Sequence, residues 1–151
     1  LSLRSLDVVY LLILLGLAVV VSPLMSAMPS KAQRAKAALR DQARAHDLRV
    51  SLRPLPAVPA RFRFEPEDEL ACYERRVPAS GQNFGGETHY LCVDGQWWPT
   101  TGVEDAPGWL HYLPLGAAYV ECRHESVSIF WDEKAGPEGL AKISQAIEIM
   151  S

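Results

Sequence analysis

Hydrophobic and polar positions are sharply segregated along this chain. From Val8 to Ser30 no side chain is charged, and Val8 to Val21 is almost purely aliphatic. As helix, those 23 residues reach about 34 Å at roughly 1.5 Å each, enough to cross a hydrocarbon core of about 30 Å. The segment is apolar all round rather than along one stripe, which argues for lipid and against a soluble core helix. Pro23 predicts a kink or the end of the lipid-facing part, and Ser22 to Ser30 is more polar. A secretory signal is the rival reading. Met25 stands where cleavage near Ala27 needs a small residue, and a proline follows closely. An uncleaved transmembrane anchor over residues 1–30 is therefore expected.

The pattern changes at Ser30. Residues 31–51 are rich in strong helix formers. Ala32, Ala35, Leu39, Ala43, His46 and Val50 recur at spacings of three and four, while charges occupy the opposite side. This predicts a basic juxtamembrane helix with Pro29 at its first position and supportive Asp41–Arg44 and Arg44–Asp47 spacings. His46 reads as a helix-end residue. Residues 52–60 carry Pro54, Pro56 and Pro59, which exclude helix and predict a stiff extended linker.

Residues 61–151 read as a small α+β domain. Period-two runs predict strands at 69–77, 89–93, 96–98, 118–123 and 127–131. Asp94-Gly95 supplies a two-residue hairpin turn, and a second hairpin turns over His124 to Ser126. Residues 79–86 and 99–107 read as loops, and 109–115 has no clear period. Pro137 to Met150 predicts a closing helix with Leu140, Ile143, Ile147 and Met150 on its buried face. The expected fold class is α+β: an N-terminal transmembrane helix, a basic juxtamembrane helix, and an antiparallel sheet of about five strands with a C-terminal helix. Tyr73, Tyr90, Trp97, Trp98, Tyr119, Phe130 and Trp131 supply much of its core.

Charge sharpens the topology. The whole chain carries a net −3, but residues 31–53 hold seven bases against two acids and residues 61–151 hold seven bases against fifteen acids. Five of those bases lie between Lys31 and Arg44, against Arg4 and Asp7 on the other side of the apolar run. The positive-inside rule then puts the N-terminus outside and the C-terminal domain in the cytoplasm of a bacterial inner membrane. Three cysteines (Cys72, Cys92, Cys122) cannot all pair, and reduced thiols fit that compartment.

Candidate chemistry is sparse. Gly81, Asn83, Gly85 and Gly86 lack the Lys-Ser/Thr of a phosphate loop and read as a hairpin loop. The cysteines with His89, His111 and His124 lack close ligand pairs, so no metal and no cofactor are expected. Each cysteine reads as a small apolar filler in a strand. Glu121, Glu125, Asp132 and Glu133 read as a solvated edge rather than a catalytic carboxylate pair. No nucleophile-elbow, haem or metalloprotease motif is present in the sequence, so no enzyme activity is expected. Candidate interface residues are Gly16 and Ala18, small enough for close helix approach; Lys31, Arg34, Arg40 and Arg44, facing anionic lipid headgroups or a partner subunit; and the adjacent Trp97 and Trp98. Those two point to opposite faces of one strand, so one can fill the core while the other anchors a partner.

The order of parts from Leu11 to Val50, above all Pro29-Ser-Lys-Ala-Gln-Arg-Ala-Lys36, resembles the single-pass accessory subunit of the bacterial preprotein translocase. That family has one membrane helix, a basic Ala/Gln-rich stretch and a small β-rich cytoplasmic domain. The resemblance covers about a quarter of the chain and does not extend to the head. It implies a non-catalytic accessory role. The expected function is an accessory or assembly subunit of an inner-membrane complex (respiratory, photosynthetic or translocating), with other inner-membrane subunits and lipid headgroups as partners and no nucleic acid. The alternative is a free-standing membrane-tethered module binding a soluble protein or ligand.

Overall fold

The computed structural model describes residues 2–65, 70–78, 86–101 and 105–151. It divides into two compact units, Leu1–Arg34 and Ala35–Ser151. In the first unit, helix α1 spans Ser2–Ala27 and runs through Pro23. Its Leu3–Ala27 part is long and apolar enough to cross a membrane, and its side chains are exposed. Proline removes one backbone donor, and one turn on, the Ser26 hydroxyl donates to the Ser22 carbonyl at 3.0 Å. Helix α2, Lys31–Ala45, starts with a capping box. Ser30 Oγ accepts from the Gln33 amide at 3.2 Å, and Gln33 Oε1 accepts from the Ser30 amide at 3.0 Å. Ser30 is thus the N-cap, and Pro29 lies just outside the helix instead of at its first position.

The helix expected over 31–51 stops at Ala45. The Leu48 amide donates to Ala43 and the Asp47 amide to Arg44, with Asp47 left-handed at φ 58°. That is the double hydrogen bond of a Schellman end, with aspartate in the place glycine usually takes. The chain then forms strand β1, Arg49–Leu52, so Val50 belongs to a strand rather than to a helical stripe. The other strands are β2 (Ala71–Arg76), β3 (Thr88–Val93), β4 (Gln96–Pro99), β5 (Ala117–Arg123) and β6 (Ser126–Trp131). Among the described residues six strands, the expected five and β1, pair antiparallel in the order β1-β2-β6-β5-β3-β4. The Asp94-Gly95 turn has positive φ at both residues, 51° and 77°, as its hairpin requires. Helix α3, Gly136–Met150, closes the fold, with Leu140, Ile143, Ile147 and Met150 buried as the spacing predicts. Gly108–Tyr112 forms a short 3-10 helix that buries Trp109 and Leu110. Nearly all of the loop at 79–86, including Gly81, Asn83 and Gly85, lies outside the described residues, as do Glu69 and 102–104.

Both faces of the sheet are covered. On one face α2 (Leu39, Ala43) and α3 pack over Tyr73, Val120, Ile129 and Trp131. Helix α2 from Ala35 onward is therefore part of the head rather than a solvated stalk. Arg40 fixes it there: Nε and Nη2 donate to Glu133 at 2.8 Å each, and Tyr73 Oη donates to Glu133 Oε1 at 2.8 Å. Burial pushes the Glu133 carboxyl up, but the bonds from Arg40 and Tyr73 outweigh it and hold it below its ordinary value. On the opposite face Leu55, Val58, Phe62 and Phe64 lie over Cys72, Leu91, Tyr119 and Phe130. The proline-rich segment is extended, as its prolines require, but it is not a free spacer. Its interleaved apolar side chains cover a sheet face that would otherwise expose two aromatic rings.

Candidate functional site

Strand register aligns a polar row across the second face. Arg49 faces Glu74, Glu74 faces Ser128, Ser128 faces Glu121, and Glu121 faces His89. Period two puts each of these beside the apolar row of Cys72, Phe130, Tyr119 and Leu91. Arg53, four residues after Arg49 and just past the end of β1, reaches into it. Its Nη2 donates to Ser128 Oγ at 3.0 Å and to Glu121 Oε2 at 3.4 Å, and its Nε donates to Cys72 Sγ at 3.3 Å. Its guanidinium lies 5.2 Å from the Phe130 ring centroid, a cation–π distance.

Glu121 is 2% exposed, so the expected solvated edge is corrected there and at Glu133. Cross-strand register turns Glu121 inward, Glu133 lies just past the end of β6 in a left-handed backbone at φ 62°, and arginines compensate both charges. Glu125 remains exposed, and Asp132 Oδ1 accepts from the Lys134 amide at 2.9 Å. The other oxygen of Glu121 accepts from Arg123 Nε at 2.8 Å, with Nη2 at 2.6 Å. Arg123 also reaches Glu87 at 3.5 Å, and Glu87 lies 3.1 Å from His89 Nε2. His89 Nδ1 is 2.8 Å from Tyr119 Oη. Glu87 is held below its ordinary pKa, first by a hydrogen bond shared with Glu121, which outweighs the opposing desolvation, and then by the charges of Arg123 and His89. Burial lifts the Tyr119 phenol to about 12, so it stays neutral. Glu87, His89 and Glu121 each place one donor atom within 4.8 Å of the others.

The three thiols are unpaired. Cys72 and Cys122 are buried strand fillers, as expected, and Cys92 is half-buried. Burial raises all three thiol pKa values, that of Cys122 to about 12, so none is an activated nucleophile. The residues singled out from sequence are divided between the two units. Gly16 and Ala18 lie on exposed α1, and a Cβ on Gly16 would meet nothing within 4 Å. Lys31 and Arg34 are exposed at the start of α2, where Arg34 Nε donates to the Pro29 carbonyl at 3.3 Å. Arg40 is committed to Glu133, and exposed Arg44 pairs with Asp41 at 3.2 Å. Trp97 packs against the helix-covered core, while Trp98, opposite Leu91, is 47% exposed.

The polar row was missed because its members come from five strands and meet only through register. The legible trace is Glu87-Thr-His89, two polar residues one apart on a single face, with Glu121 at the same phase of a later strand. No protein-family model, no curated protein and no solved structure matches this chain.

Proposed function

We propose that the chain is a non-catalytic accessory or assembly subunit of a bacterial inner-membrane complex, tethered by α1 with its head in the cytoplasm. The observation that carries this reading is α1 itself, 25 residues of apolar helix whose surface is exposed along its length. Water does not tolerate such a surface, so lipid or a partner helix covers it. Lys31 and Arg34, exposed in the first turn of α2, supply the cytoplasmic flank of the tether. The head supports an accessory role. Its thiols are unactivated, and its buried carboxylates at 121 and 133 are each ion-paired to arginine. Gly16 and Ala18 offer the place where a neighbouring helix approaches α1 most closely, and Trp98 is the anchor for a soluble part of that partner.

Native purification from membranes through a tag on the full chain tests the reading. Stoichiometric co-purification of other membrane subunits is expected, reduced when Gly16 is replaced by leucine. A lone monomer in mild detergent at every extraction condition would overturn it.

A further inference from the structure

We propose that Glu87, His89 and Glu121 form a binding site for a first-row divalent metal ion of the zinc class, with Arg123 as the competing internal cation. Three observations carry this. First, the donor set is mixed, one imidazole and two carboxylates, which suits zinc and its neighbours rather than calcium or magnesium. Second, the geometry is close. The three donor atoms lie within 4.8 Å of one another. Ligand bonds of about 2.1 Å at tetrahedral angles put donor atoms about 3.4 Å apart, so closure takes up to about 1.4 Å, within reach of side-chain rotation at exposed Glu87. Two of the ligands face each other in register on adjacent strands β3 and β5, so their backbones are already fixed. Third, two carboxylates crowd one another, and a single guanidinium serves both, at 3.5 Å from Glu87 and 2.6 Å from Glu121. Arg123 ends its strand with a side chain 54% exposed. It can leave for solvent when a doubly charged ion takes over both carboxylates.

His89 is oriented for the role from behind. Its Nδ1 bonds Tyr119 Oη at 2.8 Å while Nε2 faces Glu87. Tyr119 Oη can donate to Nδ1 or accept from it. With metal bound, the imidazole proton moves to Nδ1, Tyr119 accepts it, and Nε2 offers its lone pair. That is the outer-shell arrangement usual for metal-bound histidine. Arg53 keeps the second oxygen of Glu121, so the ion needs only one oxygen from that residue. The site lies outside the partner-binding features above and does not depend on them.

Zinc titration of the detergent-solubilised full chain by calorimetry, with cobalt(II) spectra in parallel, tests this. The wild type should bind one equivalent, with ligand-field bands and no thiolate-to-cobalt charge transfer. Glu87→Gln, at an exposed side chain, and His89→Asn should each weaken binding at least about tenfold, and Tyr119→Phe by a similar factor. Arg123→Gln should tighten binding, because it removes the competitor. That gain separates a built site from surface histidine binding. The proposal is overturned by a Kd weaker than about 1 mM in both wild type and Arg123→Gln. Equal affinity in wild type and His89→Asn, or a thiolate charge-transfer band that disappears in Cys92→Ser, also overturns it.

Discussion

Replacing Arg40 by alanine should destabilise the head by about 2–4 kcal/mol at neutral pH, and the loss should shrink as the solution is acidified. Arg40 makes two 2.8 Å bonds to Glu133, whose side chain is 3% exposed, while its own is 30% exposed. Stranding one member of a fully buried ion pair costs about 3–5 kcal/mol, and the partial exposure of Arg40 discounts that range. The sign of the pH dependence follows from Glu133. In the wild type its pKa is held below the ordinary value. Its stabilising contribution is therefore complete above the ordinary carboxyl range and is lost as pH falls through the depressed value. Without Arg40, burial is no longer outweighed and lifts the same carboxyl above its unfolded value. The variant then gains stability by taking up a proton as pH falls, so the gap to wild type closes from the acid side. Denaturant unfolding of the full chain in detergent, followed by tryptophan fluorescence at about pH 7.5 and about pH 5, reads both quantities. Tyr73→Phe is the companion variant. It removes one neutral donor and leaves the charge pair, so it should cost about 1 kcal/mol, with little pH dependence. An Arg40→Ala deficit below about 0.5 kcal/mol, or one that does not narrow at the lower pH, would refute the clamp.

Other outcomes follow from packing. Gly139→Ala usually stabilises a helix by about 1 kcal/mol, but here its Cβ would come within 2.6 Å of the Trp131 ring and 2.7 Å of Ala135 Cβ. We expect a loss of about 1–3 kcal/mol instead, read by the same unfolding curves. Leu39→Ala should cost about 2–4 kcal/mol, since Leu39 is 3% exposed in the core under α2. An exposed stalk residue would cost nearly nothing. Thiol-specific labelling of the folded chain should modify Cys92 first. Cys72 and Cys122, buried on opposite faces and raised in pKa by that burial, should react only with unfolding.

Much of the fold is legible in the sequence because local signals agree with the tertiary structure. The apolar run, the Asp94-Gly95 turn, the 124–126 turn and the stripe Leu140, Ile143, Ile147, Met150 all report elements whose period and punctuation coincide. The errors fall where two patterns overlap. Residues 46–52 continue a helical stripe through His46 and Val50, yet Asp47 accepts a left-handed backbone and starts a strand instead. Prolines 54, 56 and 59 announce an extended chain without saying what that chain touches. Leu55, Val58, Phe62 and Phe64 decide that by covering the sheet. The polar row was illegible for a different reason. Glu74, Ser128, Glu121 and His89 become neighbours only through strand register, and burial of a glutamate between arginines has no local sequence signature. Arg40 shows the same limit: its spacing matches a basic headgroup-facing surface, while its guanidinium serves Glu133, 93 residues away.

The proposed tether holds the head at the cytoplasmic face by one membrane-spanning helix. Paired fusions after Ser151, one to green fluorescent protein and one to alkaline phosphatase, test it in a bacterial host, read in the alkali-resistant membrane fraction. Fluorescence with an inactive phosphatase is expected, and inversion of that pattern when Lys31, Arg34 and Lys36 are replaced by glutamate together with a basic extension before Ser2. An active phosphatase with a dark fluorescent partner, or a processed soluble head lacking residues 1–27, would contradict it.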